Sequence, residues 1–396
     1  MNANSLTERL RSEVRENLVE NILPFWCDRF QDPEGGFLGR ITGEGEADAA
    51  APKGAILNAR ILWAFSAAYR VLGDSRYLDM ATRAKREIID RFYDPEFGGV
   101  YWSLDSKGRP LDTKKQIYAI GFAIYGLSEY CRATGDGEAR DYAIRLFEDI
   151  EKHSFDPVNN GYFEAFARDW SPLSDMRLSE KDANECKTMN THLHIIEPYT
   201  ALYRVWPDVR LKERIRNLIW IFRERILDPG TGHLRLFFDE LWDSKREIVS
   251  FGHDIEASWL LDEAAGVIGI KEEQILPDVL KIAQAAMEGY VPGAGMMYEL
   301  HLDSAAIDAD RHWWVQAETV VGCVNAYQRT GDEAWLERAA QTWEFIKGYL
   351  VDRENGEWYW SLKADGSVNR VDDKAGFWKC PYHNSRMCLE ILERLQ

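Results

Sequence analysis

The chain has 396 residues, enough for one large core or for several smaller ones. Its 45% hydrophobic and 29% charged content is that of a folded protein and excludes a disordered or low-complexity chain. Sixty-six acidic residues against 48 basic ones leave a formal charge of −18, so the overall field repels phosphate backbones and anionic lipid, and neither nucleic acid nor membrane is an expected partner.

The first residues carry Glu8, Arg9, Arg11, Glu13, Arg15 and Glu16 where a secretory signal would need its apolar core, so a cytoplasmic protein is expected. Apolar stretches such as Ala119 to Leu127 fall well short of the roughly 20 residues needed to span a bilayer. The six cysteines are scattered without a C-x-x-C pair, which predicts free thiols and no disulfide or zinc framework.

Further along, one turn chemistry keeps returning. Asp32-Pro33-Glu34-Gly35-Gly36-Phe37 recurs 62 residues later as Asp94-Pro95-Glu96-Phe97-Gly98-Gly99-Val100-Tyr101-Trp102, and after another 62 as Asp156-Pro157-Val158-Asn159-Asn160-Gly161-Tyr162-Phe163. Asp228-Pro229-Gly230, the degenerate Pro292-Gly293-Ala294-Gly295 and Asp352-Arg353-Glu354-Asn355-Gly356 complete six copies. Proline fixes φ, aspartate bonds its own backbone downstream and glycine takes positive φ, so each copy is a turn, and the aromatic pair that follows reads as a short extended stub.

Between the turns the apolar residues have helical period. Ile56, Ala59, Leu62, Trp63, Phe65 and Ala67 start one helix, Tyr77, Leu78, Ala81, Ala84, Ile88 and Ile89 form a second, and Gly73-Asp74 between them is a stop and a restart. The connector returns at Gly135-Asp136 and Gly331-Asp332, so each unit is a helix pair. Six such hairpins of roughly 60 residues predict an all-α protein, an (α/α)6 barrel with an inner and an outer helix layer and short β-stubs on the loop face. An open solenoid reads similarly; glycine- and aromatic-rich turns on one side favour a closed ring with a shared mouth. With no linker or composition shift, residues 1–396 form one expected domain, and a closed ring predicts a monomer.

Chemistry-bearing residues gather near these turns. Trp313-Trp314, Trp358-Tyr359-Trp360 and Phe377-Trp378 put flat faces where they can stack on a sugar ring, which points to carbohydrate. In Met189-Asn190-Thr191-His192-Leu193-His194 the helix puts Asn190 and His194 on one face, with His192 about 200° away, so one histidine faces the cavity and the other faces packing. His253, Glu256 and Trp259 form an i, i+3, i+6 stripe on which Glu256 is expected to set the tautomer of His253 or raise its pKa. Trp314 and Glu318 fall at i, i+4, and His383 opens the last helix.

A metal held by His194, His253, His383 and Glu256 is the rival reading, but H-E-x-x-H is absent, as are phosphate-loop, dinucleotide and G-x-S-x-G motifs. A glycoside hydrolase would draw two carboxylates from Glu256, Glu318 and Asp182, and would leave the histidines without a task. Two imidazoles on opposite walls suit carbon-acid chemistry instead. Once a reducing sugar opens to its aldehyde, the C2 proton becomes abstractable, and Arg60 and Asn190 are placed to stabilise the enediolate. Reprotonation from the other face of C2 inverts it, and protonation at C1 gives the ketose.

The segments Asn58-Ala59-Arg60-Ile61-Leu62-Trp63, Gln116-Ile117-Tyr118-Ala119, Asn190-Thr191-His192-Leu193-His194, His253 to Trp259, Trp313 to Glu318 and Trp378-Lys379-Cys380-Pro381-Tyr382-His383 resemble, in order, the N-acylglucosamine 2-epimerase superfamily, and within it most closely the members that act on cellobiose. The resemblance implies an (α/α)6 barrel and a cofactor-independent isomerase that epimerises C2 of the reducing-end glucose of a β-1,4-linked disaccharide. It further implies His253 and His383 as the acid/base pair with Glu256 tuning His253. His194, Arg60, Tyr118 and Asn190 would hold sugar oxygens and the enediolate, Trp314 and Trp378 the sugar rings, and Trp259, Glu318 and Asp182 would support or bind. No metal and no cofactor are implied. A mannose 2-epimerase or mannose isomerase acting on monosaccharides would share the same motifs.

Overall fold

A computed structural model describes residues 2–395. Its helices are α1 (Ala3–Asn17), α2 (Leu23–Arg29), α3 (Ala55–Leu72), α4 (Ser75–Glu87), α5 (Ile117–Thr134), α6 (Gly137–His153), α7 (Met189–Val205), α8 (Val209–Ile221), α9 (Phe251–Ile268), α10 (Glu272–Ala286), α11 (Trp313–Thr330), α12 (Glu333–Phe345) and α13 (His383–Arg394). Helices α3, α5, α7, α9, α11 and α13 each pack on the next, and α13 returns to α3, which closes an inner ring. Helices α4, α6, α8, α10 and α12 each cover the inner helix that precedes them, and α1 covers α13. The architecture is an (α/α)6 barrel, and the contact between α13 and α3 excludes the open solenoid.

Burial follows from this layering. α3 is buried without interruption from Ala55 to Ala68, as a helix apolar all round must be when it lies between an outer layer and a barrel interior. α4 buries only a stripe of Tyr77, Met80, Ala81, Ala84 and Lys85. The hairpin connectors match the expectation: Gly73, Gly135 and Gly331 end their helices at φ of 76°, 77° and 71°, and Asp74, Asp136 and Asp332 cap the next helix with their side chains.

The Asp-Pro turns carry more than the sequence reading assigned to them. Asp94 Oδ1 accepts from the backbone of Glu96 and Phe97, while its Oδ2 accepts from Lys115 Nζ at 2.9 Å. The same tie joins Asp32 to Lys53 at 2.6 Å, Asp156 to Lys187 at 2.7 Å, and Asp352 to Lys374. Lys53, Lys115 and Lys187 sit in two-residue strands directly ahead of α3, α5 and α7, so each turn is pinned to the start of the next inner helix. The extended stubs after the turns exist as single bridges such as Tyr93↔Val100 and Phe155↔Tyr162. The long connections therefore all gather at the end of the barrel where the inner helices begin. No described helix is long and apolar enough to cross a membrane.

Candidate active site

Every inner helix places polar residues in its first two turns at this end. Arg60 comes from α3, Tyr118 from α5, Asn190 and His194 from α7, His253 and Glu256 from α9, Trp314 and Glu318 from α11, and His383 and Arg386 from α13. The histidines sort by their partners. His192, fully buried, uses both ring nitrogens: Nδ1 meets Thr188 O at 2.6 Å and Nε2 accepts from Tyr162 N at 3.0 Å. His194, His253 and His383 each commit only Nδ1, to Glu197 at 3.0 Å, Ser250 Oγ at 2.8 Å and Glu318 at 2.7 Å. A carboxylate on Nδ1 fixes the tautomer of His194 and His383 with the proton on Nδ1, which leaves Nε2 as a lone pair without a protein partner among the described residues.

Burial keeps all three imidazoles neutral. It brings His253 down to about 3, with the nearby His194 adding to the effect. It lowers His194 against the pull of Glu197, and lowers His383 well below the ordinary range with Arg60 and Arg386 reinforcing it. The rings of His253 and His383 both lie against Trp314, at 4.8 and 5.6 Å between centroids.

Beneath the histidines, three carboxylates share one guanidinium. Arg386, fully buried, donates from Nη2 to Glu256 Oε1 and Glu318 Oε1, both at 2.6 Å, and from Nη1 to Glu197 Oε1. Tyr382 OH also donates to Glu197 Oε1, and Trp259 Nε1 donates to Glu318 Oε2 at 3.0 Å. Glu256, Glu318 and His383 bring ligand atoms within 4.8 Å of one another, the spacing a cation would require. The guanidinium already bridges both of those carboxylates, so the donor set is filled by Arg386 and does not fit a metal. The same geometry corrects the hydrolase pairing, because Glu256 and Glu318 are buried and held on one nitrogen instead of flanking an open space.

Several sequence assignments change here. Glu256 does not tune His253: it points to Arg386, and Ser250, three residues ahead of His253, takes the Nδ1 contact. Trp259 is 1% exposed and its Nε1 donates to Glu318, which makes it a support for that carboxylate. Glu318 accepts from Trp259 on Oε2 and from Arg386 and His383 on Oε1, so in this arrangement it supports His383. Trp313 and Trp358 are buried in the core, while Trp314 and Trp378 stay half-buried at the loop face. Arg60 donates to Tyr118 OH at 2.8 Å and lies 4.2 Å from the centre of the Phe122 ring. Asn190 Oδ1 is buried without a partner among the described residues. Asp182 lies in the loop before α7, where it accepts from Ser179 N and Oγ at 2.8 Å.

The sequence reading missed Glu197, Arg386, Tyr382 and Ser250. Two were accessible, since Glu197 follows His194 and Arg386 follows His383 at the i, i+3 spacing that puts side chains on one helix face. α7 also departs from regularity at His194 (φ −90°, ψ 15°), because Pro198 four residues on has no N–H for its carbonyl. The freed carbonyl lies against Gly121 of α5, where a Cβ would stand 2.3 Å from it.

The sequence profile of the N-acylglucosamine 2-epimerase family matches residues 36–385. The chain is 63% identical over 390 residues to the cellobiose 2-epimerase of Bacteroides fragilis, covering 98% of this chain and 100% of the relative. It is 44% identical to the cellobiose 2-epimerase of Ruminococcus albus, covering 97% and 98%. The solved cellobiose 2-epimerase of Bacillus thermoamylovorans superposes with a TM-score of 0.94 at 43% identity, covering 98% and 100%. The ring, its histidine-lined end and these full-length likenesses agree, and the chain belongs to the N-acylglucosamine 2-epimerase family of carbohydrate epimerases and isomerases.

Proposed function

We propose that the enzyme epimerises C2 of the reducing-end glucose of β-1,4-linked disaccharides such as cellobiose, giving glucosyl-mannose without a cofactor. The observation that carries the chemistry is the shared arrangement of His194, His253 and His383: neutral ring, Nδ1 committed to the protein, Nε2 free of it. The disaccharide preference rests on the full-length likeness to cellobiose 2-epimerases.

In the reaction, the ring opens to the aldehyde and one imidazole of the His253/His383 pair takes the C2 proton through Nε2. The C–H electron pair moves into the C1–C2 bond, the carbonyl electrons move to O1, and the resulting enediolate is protonated at C2 from the opposite face by the other imidazole, which enters this step as an imidazolium carrying a proton taken from water, while the first imidazole returns the abstracted proton to water. Both rings flank Trp314, which fits a sugar held between them. Arg60, Tyr118, Asn190 and His194 hold the sugar oxygens, and Trp314 and Trp378 carry the rings. Charge on the enediolate is stabilised by Arg60 and by inner-helix N-termini, of which α3, α5, α9, α11 and α13 begin without a side-chain cap.

NMR of the enzyme with cellobiose, and separately with mannose, in D₂O tests this. Deuterium at C2 of newly formed glucosyl-mannose is the expected result. Conversion of mannose alone would move the enzyme to monosaccharides, and release of glucose without an epimer would make it a hydrolase.

A further inference from the structure

Three buried carboxylates around one guanidinium leave a charge that the cluster must dispose of. Glu197, Glu256 and Glu318 are each 4% exposed or less, and Arg386 is bonded to all three. Fully ionised, the four groups would sum to −2 in a site without bulk water. Glu256 Oε1 and Glu318 Oε1 both lie 2.6 Å from one nitrogen, so two like charges would be pressed together there.

The donors are unequally shared. Both oxygens of Glu318 are satisfied, by Trp259 on one side and by Arg386 and His383 on the other. Glu197 likewise uses both, with Arg386 and Tyr382 on Oε1 and His194 on Oε2. Glu256 receives a single donor on Oε1, and its buried Oε2 has no partner among the described residues. A bare oxygen costs far less on a neutral carboxyl than on an anion.

We propose that Glu256 stands in the resting enzyme as a neutral carboxylic acid, and that the proton it holds keeps His383 in the neutral form able to take a proton from the sugar. The second half rests on the epimerase reading above; the first does not. Burial, and then the charge of Glu318, push the Glu256 carboxyl well above the ordinary range, whereas Arg386 and His194 hold Glu197 below it against burial. His383 Nδ1 is 2.7 Å from Glu318 but 4.0 Å from Glu256 Oε1. A second anion at that distance would favour the imidazolium and remove the base. With Glu256 neutral, Glu318 is the carboxylate bonded to His383, Arg60 and Arg386 both disfavour the imidazolium, and when His383 gains the substrate proton its imidazolium pairs with Glu318. The other charged or titratable groups around this cluster are Arg60, which disfavours the imidazolium of His383, together with Tyr382, His194 and Tyr118, whose phenol lies near enough to Glu256 to sense a charge there.

Infrared difference spectroscopy on the free enzyme in D₂O at neutral pH, wild type minus Glu256→Gln, tests the protonation state without reference to turnover. The expected result is a protonated-carboxyl C=O band that disappears in E256Q and persists in Glu318→Gln. A spectrum with no such band, or a band that is lost in E318Q instead, overturns the proposal. Turnover tests the role: glutamine mimics the neutral acid, so E256Q is expected to lose less than about tenfold in kcat and to keep more activity than Glu256→Ala, while E318Q loses about a hundredfold or more. Equal losses in E256Q and E318Q, with wild-type far-UV CD in both, overturn the assigned role. Wild-type turnover of cellobiose to glucosyl-mannose reports on the epimerase reading separately.

Discussion

His192 and His194 stand two residues apart on α7, yet their surroundings give them different chemistry. His192 is held at about 4 by burial and has both nitrogens bonded, so it cannot take a proton without losing the Tyr162 N–H. An unfolded histidine titrates near 6.5, so the unfolded chain gains a proton that the folded one refuses as pH falls from there. The stability His192 contributes is therefore intact above about 6.5 and is lost at about 1.4 kcal/mol per pH unit until the folded value is reached. Thermal unfolding midpoints at pH 7.5 and 5.0 should drop less between the two for His192→Gln than for wild type, and an equal drop would remove His192 from the acid limb. Trp314, half-buried against His253 and His383, is a contact surface for the sugar; Trp314→Ala should raise KM more than it lowers kcat, and a pure kcat loss would argue against ground-state binding. Because Arg386 fills the carboxylate cluster, dialysis against EDTA is expected to leave the rate unchanged, and a loss restored by zinc would reverse that. Helical spacing made His194, His253 and His383 readable in the sequence, since each lies in the first two turns of an inner helix. Their partners were less so, because Glu318 reaches His383 across 65 positions and only the ring brings them together.

At the scale of elements, the position of His194 depends on two residues that touch no substrate. Pro198 withholds a hydrogen bond from the His194 carbonyl, and Gly121 gives that carbonyl room against α5. Gly121→Ala would force the two inner helices apart at a backbone contact, with an overpacking cost of about 1–3 kcal/mol and displacement of His194. A lower melting temperature together with a lower kcat is expected; a variant with wild-type values for both would show that α5 and α7 separate freely. The Asp–Lys ties work on the connections. Lys115 and Asp94 are both fully buried, so Asp94→Ala strands a charge and should destabilise by about 3–5 kcal/mol in chemical denaturation, partly recovered by adding Lys115→Met. Turns and helix stops were legible because Gly, Pro and Asp act on their own backbone within a few residues. The lysines were not, because the intervals to Lys53 and Lys115 are 21 residues, to Lys374 22 and to Lys187 31, and no local rule pairs them.

For the whole molecule, the six-fold repeat in the sequence fits a ring or a row of hairpins; the contact of α13 with α3 makes it a ring, and α13 then needs an outer cover of its own. α1 takes that place: Leu10 and Val14 are buried, Glu13 accepts from Trp343 at 2.9 Å and Lys347 at 2.6 Å, and Asn17 accepts from Trp358 at 2.9 Å. A second tie runs from Trp26 of α2 to Glu357, which also holds Asn384 of α13 beside His383. In a row, trimming a terminal helix weakens one end and leaves distant repeats folded, because each repeat contacts only its neighbours. In a ring, the same cut uncovers the helix that carries His383 and Arg386, and α13 is also the contact that joins α11 to α3. Removal of residues 2–17 should therefore abolish turnover and lower the melting temperature of the entire chain in one transition, read by far-UV CD and by activity on cellobiose. A shortened enzyme that keeps most of its helix signal to the original temperature while losing turnover would place the effect of α1 on α13 alone, and one that keeps both would mean that the ring holds without its sixth outer helix.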